Sequence, residues 1–190
     1  MTTTTLRSSR LLLAPLALAV VLAACGTSPT PTESAPPTIP PSLLAIGSPG
    51  EPLGALPAVD GVAYRTELNG IAGFVGNSKE SIGEDVEIEI VQSVIATRDE
   101  DAVQIIAFGF PGASDEQAVD YFGRIIDKME DGFGAGSRRG LDGRGYVMTA
   151  NDRSVALAPW GRLDYLVFLF ATGPADVTEG VMTGILDAER

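Results

Sequence analysis

A single cysteine, Cys25, and no histidine occur in this chain of 190 residues. One thiol makes no intrachain disulfide, and zinc sites built on thiolate or imidazole need several such ligands. The fold must therefore rest on a packed core, with no disulfide and no thiolate- or imidazole-bound zinc. The same arithmetic removes Ser-His-Asp triads, Cys-His pairs and histidine acid–base chemistry from consideration.

The position of that cysteine is informative. Met1 to Arg10 is polar, with Arg7 and Arg10 as cations and no acid. Leu11 to Leu22 is apolar except for Pro15, which is too short to span a bilayer and suits the apolar region of an export signal. Ala23 and Ala24 follow, then Cys25 and Gly26. The stretch Leu22-Ala23-Ala24-Cys25 resembles the lipobox of bacterial lipoproteins. That resemblance implies diacylglyceryl transfer to the Cys25 thiol and cleavage by signal peptidase II between Ala24 and Cys25. A thiol suits this alkylation because it is the strong nucleophile among side chains. Two acyl chains would hold the protein on the membrane, since each buried methylene contributes ~0.8 kcal/mol and one chain alone binds only marginally. The implied location is the extracytoplasmic face of the cell membrane. The implied membrane contact is the diacylglyceryl group with its palmitate-like chains.

Charge bounds the partners. The chain has 13 Lys and Arg against 25 Asp and Glu, a net of −12, and loss of the signal would make it −14. Nucleic acid requires a basic footprint and is not expected as a partner. Docking flat on anionic lipid is disfavoured for the same reason.

Between the anchor and the domain, Thr27 to Ser42 is dominated by Pro, Ser and Thr. Such a segment buries too little apolar surface to offset its ordering entropy. Proline extends it at ~3.1 Å per residue, so it would hold a domain roughly 60–90 Å from the bilayer. The expected organisation is a signal peptide over 1–24, a lipidated cysteine and disordered linker over 25–57, and one globular domain over 58–190.

Within 58–190 the pattern alternates between strand and helix signals. Val62 to Leu68 reads as a strand, Asn69-Gly70 as a type I′ hairpin turn, and Ile71 to Val75 as the returning strand. In the next strand Val86, Ile88, Ile90 and Val94 are expected on one face, with Asp85, Glu87 and Glu89 outward. Arg98 to Asp101 turns the chain into Val103–Phe110, whose continuous apolarity predicts burial on both faces. Ser114 and Gln117 form a capping box for a helix over 115–131, with Ala118, Phe122, Ile125, Ile126 and Met129 as its stripe. Strands follow over 145–150, 153–158 and 163–171, with turns at Asn151-Asp152 and Trp160-Gly161. A last helix over 174–188 turns Val177, Val181, Ile185 and Leu186 inward.

A faint repeat at a spacing of 60 maps Phe108 onto Phe168, Phe110 onto Phe170 and Ile125 onto Ile185. It predicts a ββα pseudo-repeat. The expected fold is α+β: an antiparallel sheet of about six to seven strands with two helices packed on one face.

Motifs for chemistry are sparse. Glu87 and Glu89 stand roughly 6.5–7 Å apart on a strand, too far to chelate one ion, and Asp99-Glu100-Asp101 matches no calcium loop. No metal and no cofactor are expected. Gly132 to Gly145 gathers six glycines with Arg138, Arg139 and Arg144, a composition able to contact an anion or a partner. It has neither dinucleotide nor Walker A spacing. Trp160, beside Gly161 and Arg162 at an expected turn, is a candidate for stacking on a sugar and, with these arginines, for contact with a partner. These features predict a non-catalytic binding or accessory module that engages an envelope protein or polymer. A solute- or lipid-binding lipoprotein is the alternative, and a carboxylate-dependent hydrolase the remote one.

Overall fold

A computed structural model of the chain describes residues 55–188. The expected signal sequence, Cys25 and all but the end of the expected linker lie outside the described residues.

Seven strands form one sheet, with every neighbouring pair antiparallel. In chain order the elements are β1 (Ala63–Thr66), α1 (Ile71–Ile82), β2 (Glu89–Arg98), β3 (Asp101–Gly109), α2 (Asp115–Phe133), β4 (Arg138–Gly140), β5 (Tyr146–Ala150), β6 (Arg153–Arg162), β7 (Leu166–Pro174) and α3 (Ala175–Ala188). The order across the sheet is β1-β2-β3-β7-β6-β5-β4. The α+β class and the antiparallel sheet are as the sequence predicts.

The central strands are buried on both faces, as continuous apolarity requires. Along β3, Val103, Ile105 and Ala107 enter one core while Ile106 and Phe108 enter another. Along β7, Val167, Leu169 and Ala171 alternate with Leu166, Phe168 and Phe170 in the same way. Phe74 and Ile82 of α1 and Phe122, Ile125 and Ile126 of α2 cover one face. Val181, Met182, Ile185 and Leu186 of α3 cover the other. The helices expected from 115 and 174 therefore lie on opposite faces of the sheet, and a third helix joins α2. The layers are helix pair, sheet, helix.

The repeat holds in the sheet and breaks at the helices. Phe108 and Phe168 are direct partners across β3 and β7 and share one core. Ile125 and Ile185 lie in different cores. The connections explain this. A turn at Pro111-Gly112 separates β3 from α2, whereas β7 passes from Pro174 directly into α3. A Cβ at Gly173 would lie 2.9 Å from the Ala102 carbonyl oxygen and 3.1 Å from Thr178 Oγ1. Glycine there lets the first turn of α3 fold tightly against the sheet.

The Asn69-Gly70 hairpin is not formed. Gly70 does adopt positive φ, at 84°, but it precedes a helix, and the Phe74 N–H donates to its carbonyl at 2.9 Å. Phe74, Ser78 and Ile82 are buried at helical spacing. The place beside β1 that the hairpin would have given to 71–75 is taken by β2, which pairs Val94–Thr97 with Ala63–Thr66. The capping box forms as expected: Gln117 N–H donates to Ser114 Oγ at 3.2 Å, and Ser114 N–H to Gln117 Oε1 at 2.9 Å.

Two irregularities re-aim side chains. The β2–β3 register shifts between Ile90 and Gln92. Ile90 packs on the helix-pair side, while Val91 and Val94 pack on the α3 side, so Ile90 and Val94 do not share a face as their spacing suggests. A second shift between Pro159 and Gly161 lies within β6, which runs on to Arg162. Trp160 is therefore a strand residue, and the chain reverses at Leu163–Tyr165.

Candidate functional site

The glycine-rich segment forms a short edge strand and a tight turn. Gly134 N–H donates to the Glu130 carbonyl at 2.8 Å and closes α2. β4 then pairs Arg138, Arg139 and Gly140 with Met148, Val147 and Tyr146. Leu141 is buried, and its N–H donates to the Gly145 carbonyl at 2.9 Å across a turn carrying Asp142 and Gly143 at positive φ.

Because neighbouring strand residues point to opposite faces, the candidate arginines separate. Arg138 reaches α2, with Nη1 2.8 Å from Asp127 Oδ1 and Nε 2.9 Å from Glu130 Oε2. Its guanidinium carbon also lies 5.5 Å from the Tyr146 ring centroid. Arg139 reaches the other face, where Nη2 lies 2.8 Å from Glu179 Oε2 of α3. Hydrogen bonding to that carboxylate, then its charge, raises the Arg139 pKa. Arg144 Nη1 lies 3.0 Å from Asp187 Oδ1, also on α3. Trp160 is buried in the core beneath α3. The four residues do not meet in one cradle. Each arginine already faces a carboxylate of the chain, and an incoming anion would have to displace it. Their geometry ties both helical layers to the β4–β5 end of the sheet.

Tyr165 packs over Gly109, where a Cβ would collide with the Tyr165 ring and lie 2.7 Å from the Leu166 carbonyl oxygen. The Tyr165 hydroxyl makes no full hydrogen bond among the described residues. Its pKa is raised well above the phenol range, first by burial, then by the Glu89 carboxylate, with the charges of Asp164 and Glu87 adding to both. Among the described residues no group of acidic side chains is arranged to hold a metal ion. No described helix is long and apolar enough to cross a membrane.

Two open grooves mark the surface. One, of about 340 Å³, lies between α1 and α2, with Ile125, Met129 and Phe133 against it. Lys128 and Glu80, 3.7 Å apart, stand at its rim. The buried Ser78, whose hydroxyl has no partner among the described residues, also lines it.

The other groove, of about 300 Å³, lies at the sheet edge. β1 pairs only with Val94–Thr97 of β2, and the Glu67 N–H adds one bond to the Ser93 carbonyl at 3.1 Å. The chain then leaves through Asn69 and Gly70 into α1. Among the described residues no strand covers the outer edge of β2 from Glu89 to Gln92. Leu68, Ile71, Ile90, Val91 and Ser93 line the groove opened there. Leu68 is 73% exposed. Ser93 is buried, and its hydroxyl has no partner among the described residues. Sequence reasoning missed this groove. Its one signal was Leu68, an apolar residue placed beside a turn.

Comparison with protein-family models, with curated proteins and with solved structures found no match to this chain.

Proposed function

We propose that this chain is an exported, lipid-anchored protein whose domain is a non-catalytic binding or accessory module at the extracytoplasmic face of the membrane. The lipobox-like Leu22 to Cys25 supports the anchor. One structural observation favours binding over a purely structural role: an edge of β2 that no strand covers among the described residues, with an apolar groove along it. Open edges are aggregation hazards that proteins usually cover, so an uncovered one with a shaped groove beside it suits recognition. The expected partner is an envelope protein or polymer that tolerates an acidic surface.

The anchor is tested by expressing the full chain in a bacterium fed labelled palmitate. Label and membrane fractionation are expected for the native sequence and lost for Cys25→Ala. Release of an unlabelled native chain into the medium would indicate an ordinary secretory signal.

The groove between α1 and α2 favours a second reading, binding of a small solute, because the unpartnered Ser78 hydroxyl lies among apolar walls. A solute screen by thermal shift, repeated on Ser78→Ala, tests it. Hits that persist in the variant would count against that groove.

A further inference from the structure

The outer edge of β2 is specific enough to name the chemistry of what it takes. Strand backbone from Glu89 to Gln92, with the register shift between Ile90 and Gln92 inside it, presents amide and carbonyl groups with no strand beside them among the described residues. The side chains differ between the two faces. On the helix-pair side, Ile88 and Ile90 turn toward the core, and Leu68, Ile71 and Ser93 line the groove together with Val91, which packs on the α3 side. On the opposite side, Glu87 and Glu89 are exposed, and Glu84 and Asp85 extend the acidic run.

From these features we infer that the β2 edge binds an extended peptide segment that alternates apolar and basic side chains. The segment continues the sheet where β1 stops. This inference rests on reading the domain as a binding module. Main-chain bonds to the bare edge supply affinity, and alternate side chains supply selectivity. Apolar side chains enter the groove beside Leu68, Ile71 and Ile90. Basic side chains lie against Glu87 and Glu89. A second copy of this chain is the wrong occupant, because it would bring the same acids to the same edge on a protein of net charge −12. The acids thus protect the edge from self-pairing and select a cationic strand.

The test uses the full chain in detergent and a fluorescent hexapeptide of alternating valine and lysine, followed by anisotropy. Saturable binding that weakens with added salt is expected. An alternating valine–glutamate peptide is expected not to bind. A valine–lysine peptide methylated on alternate backbone nitrogens should lose affinity in the register that faces β2, because its edge donors are gone. The charge-reversed double variant Glu87→Lys with Glu89→Lys should bind the lysine peptide about tenfold more weakly and acquire binding to the glutamate peptide. Leu68→Asn, which removes the apolar contact without adding charge, should weaken the lysine peptide while leaving the thermal midpoint unchanged, since Leu68 is exposed. Equal binding of the methylated peptides in both registers would overturn the inference, leaving only adhesion to an acidic surface. Charge reversal without effect would overturn it as well. The peptide arms need no variant, so they decide the matter even where a variant misfolds. Absence of palmitate label on the native chain would sink the anchored-protein reading and leave these binding results untouched.

Discussion

Phe108 and Phe168 stand opposite each other across the β3–β7 ladder, with ring centroids 5.9 Å apart. They mark the seam where the two halves of the chain meet. Phe122 of α2 stacks on Phe168 at 4.3 Å with the rings 16° from parallel. Phe74 of α1 meets Phe108 edge to face at 4.8 Å. This aromatic cluster joins the helix pair to the central strands. Phe168→Ala should cost about 3–5 kcal/mol in urea unfolding, from lost transfer energy and the cavity left behind. Phe108→Ala should cost a similar amount, and the double variant should fall short of the sum because the rings touch.

Glycines at two sites should respond oppositely to alanine. Gly109→Ala drives a methyl group into the Tyr165 ring and against the Leu166 carbonyl. A loss of about 1–3 kcal/mol is expected from overpacking. Gly123 lies inside α2 with nothing within 4 Å of the added methyl. Gly123→Ala should therefore gain about 0.5–1 kcal/mol from helix propensity. Thermal unfolding of the two variants gives both signs.

The arginines of β4 should be unequal. Arg138 has a side chain 18% exposed and pairs with two carboxylates of α2. Arg138→Ala should cost about 1–2 kcal/mol. Arg139 is 56% exposed and pairs with Glu179 alone. Arg139→Ala should cost less than about 1 kcal/mol, and that difference should shrink in high salt. Chemical denaturation at low and high ionic strength separates the two.

Alkaline stability should depend on Tyr165. Its folded pKa lies above the unfolded value of 10.0. Below that value the phenol is protonated in both states and its stabilising contribution is fully present. As pH rises past it, the unfolded chain releases a proton that the folded chain keeps, so stability falls until the folded pKa is reached. Tyr64 adds a smaller loss of the same sign, raised by burial. Tyr165→Phe should flatten the alkaline fall in unfolding free energy while changing stability little at neutral pH. Ultraviolet titration should show late phenol ionisation in the native chain and its loss in the variant.

Much of the fold was legible in local pattern. The capping box at Ser114 and Gln117, the doubly buried β3, the Asn151-Asp152 turn and the inward positions of α3 follow from spacing alone. The errors share one cause. Asn69-Gly70 declares a residue able to take positive φ, and both a hairpin and a helix entry use that property. Ile71 to Val75 cannot reveal which, because the answer depends on β2 competing for the edge of β1. Trp160 beside Gly161 resembles a turn until the β6 bulge places it under α3. The arginines looked like a shared site because they are near in sequence, yet strand alternation sends Arg138 and Arg139 to opposite faces.

The sequence by itself determined that no intrachain disulfide braces the core, that the class is α+β, and where a lipid would attach if Cys25 is its acceptor. Those properties follow from composition and short-range periodicity, which every segment carries within itself. Only the tertiary structure decided which face each helix covers, which arginine meets which carboxylate, and that β1 stops short and leaves an edge of β2 without a strand beside it among the described residues. Such outcomes depend on registers, bulges and close approaches between segments far apart in the chain. A shift of one residue in pairing reverses the face of every side chain that follows.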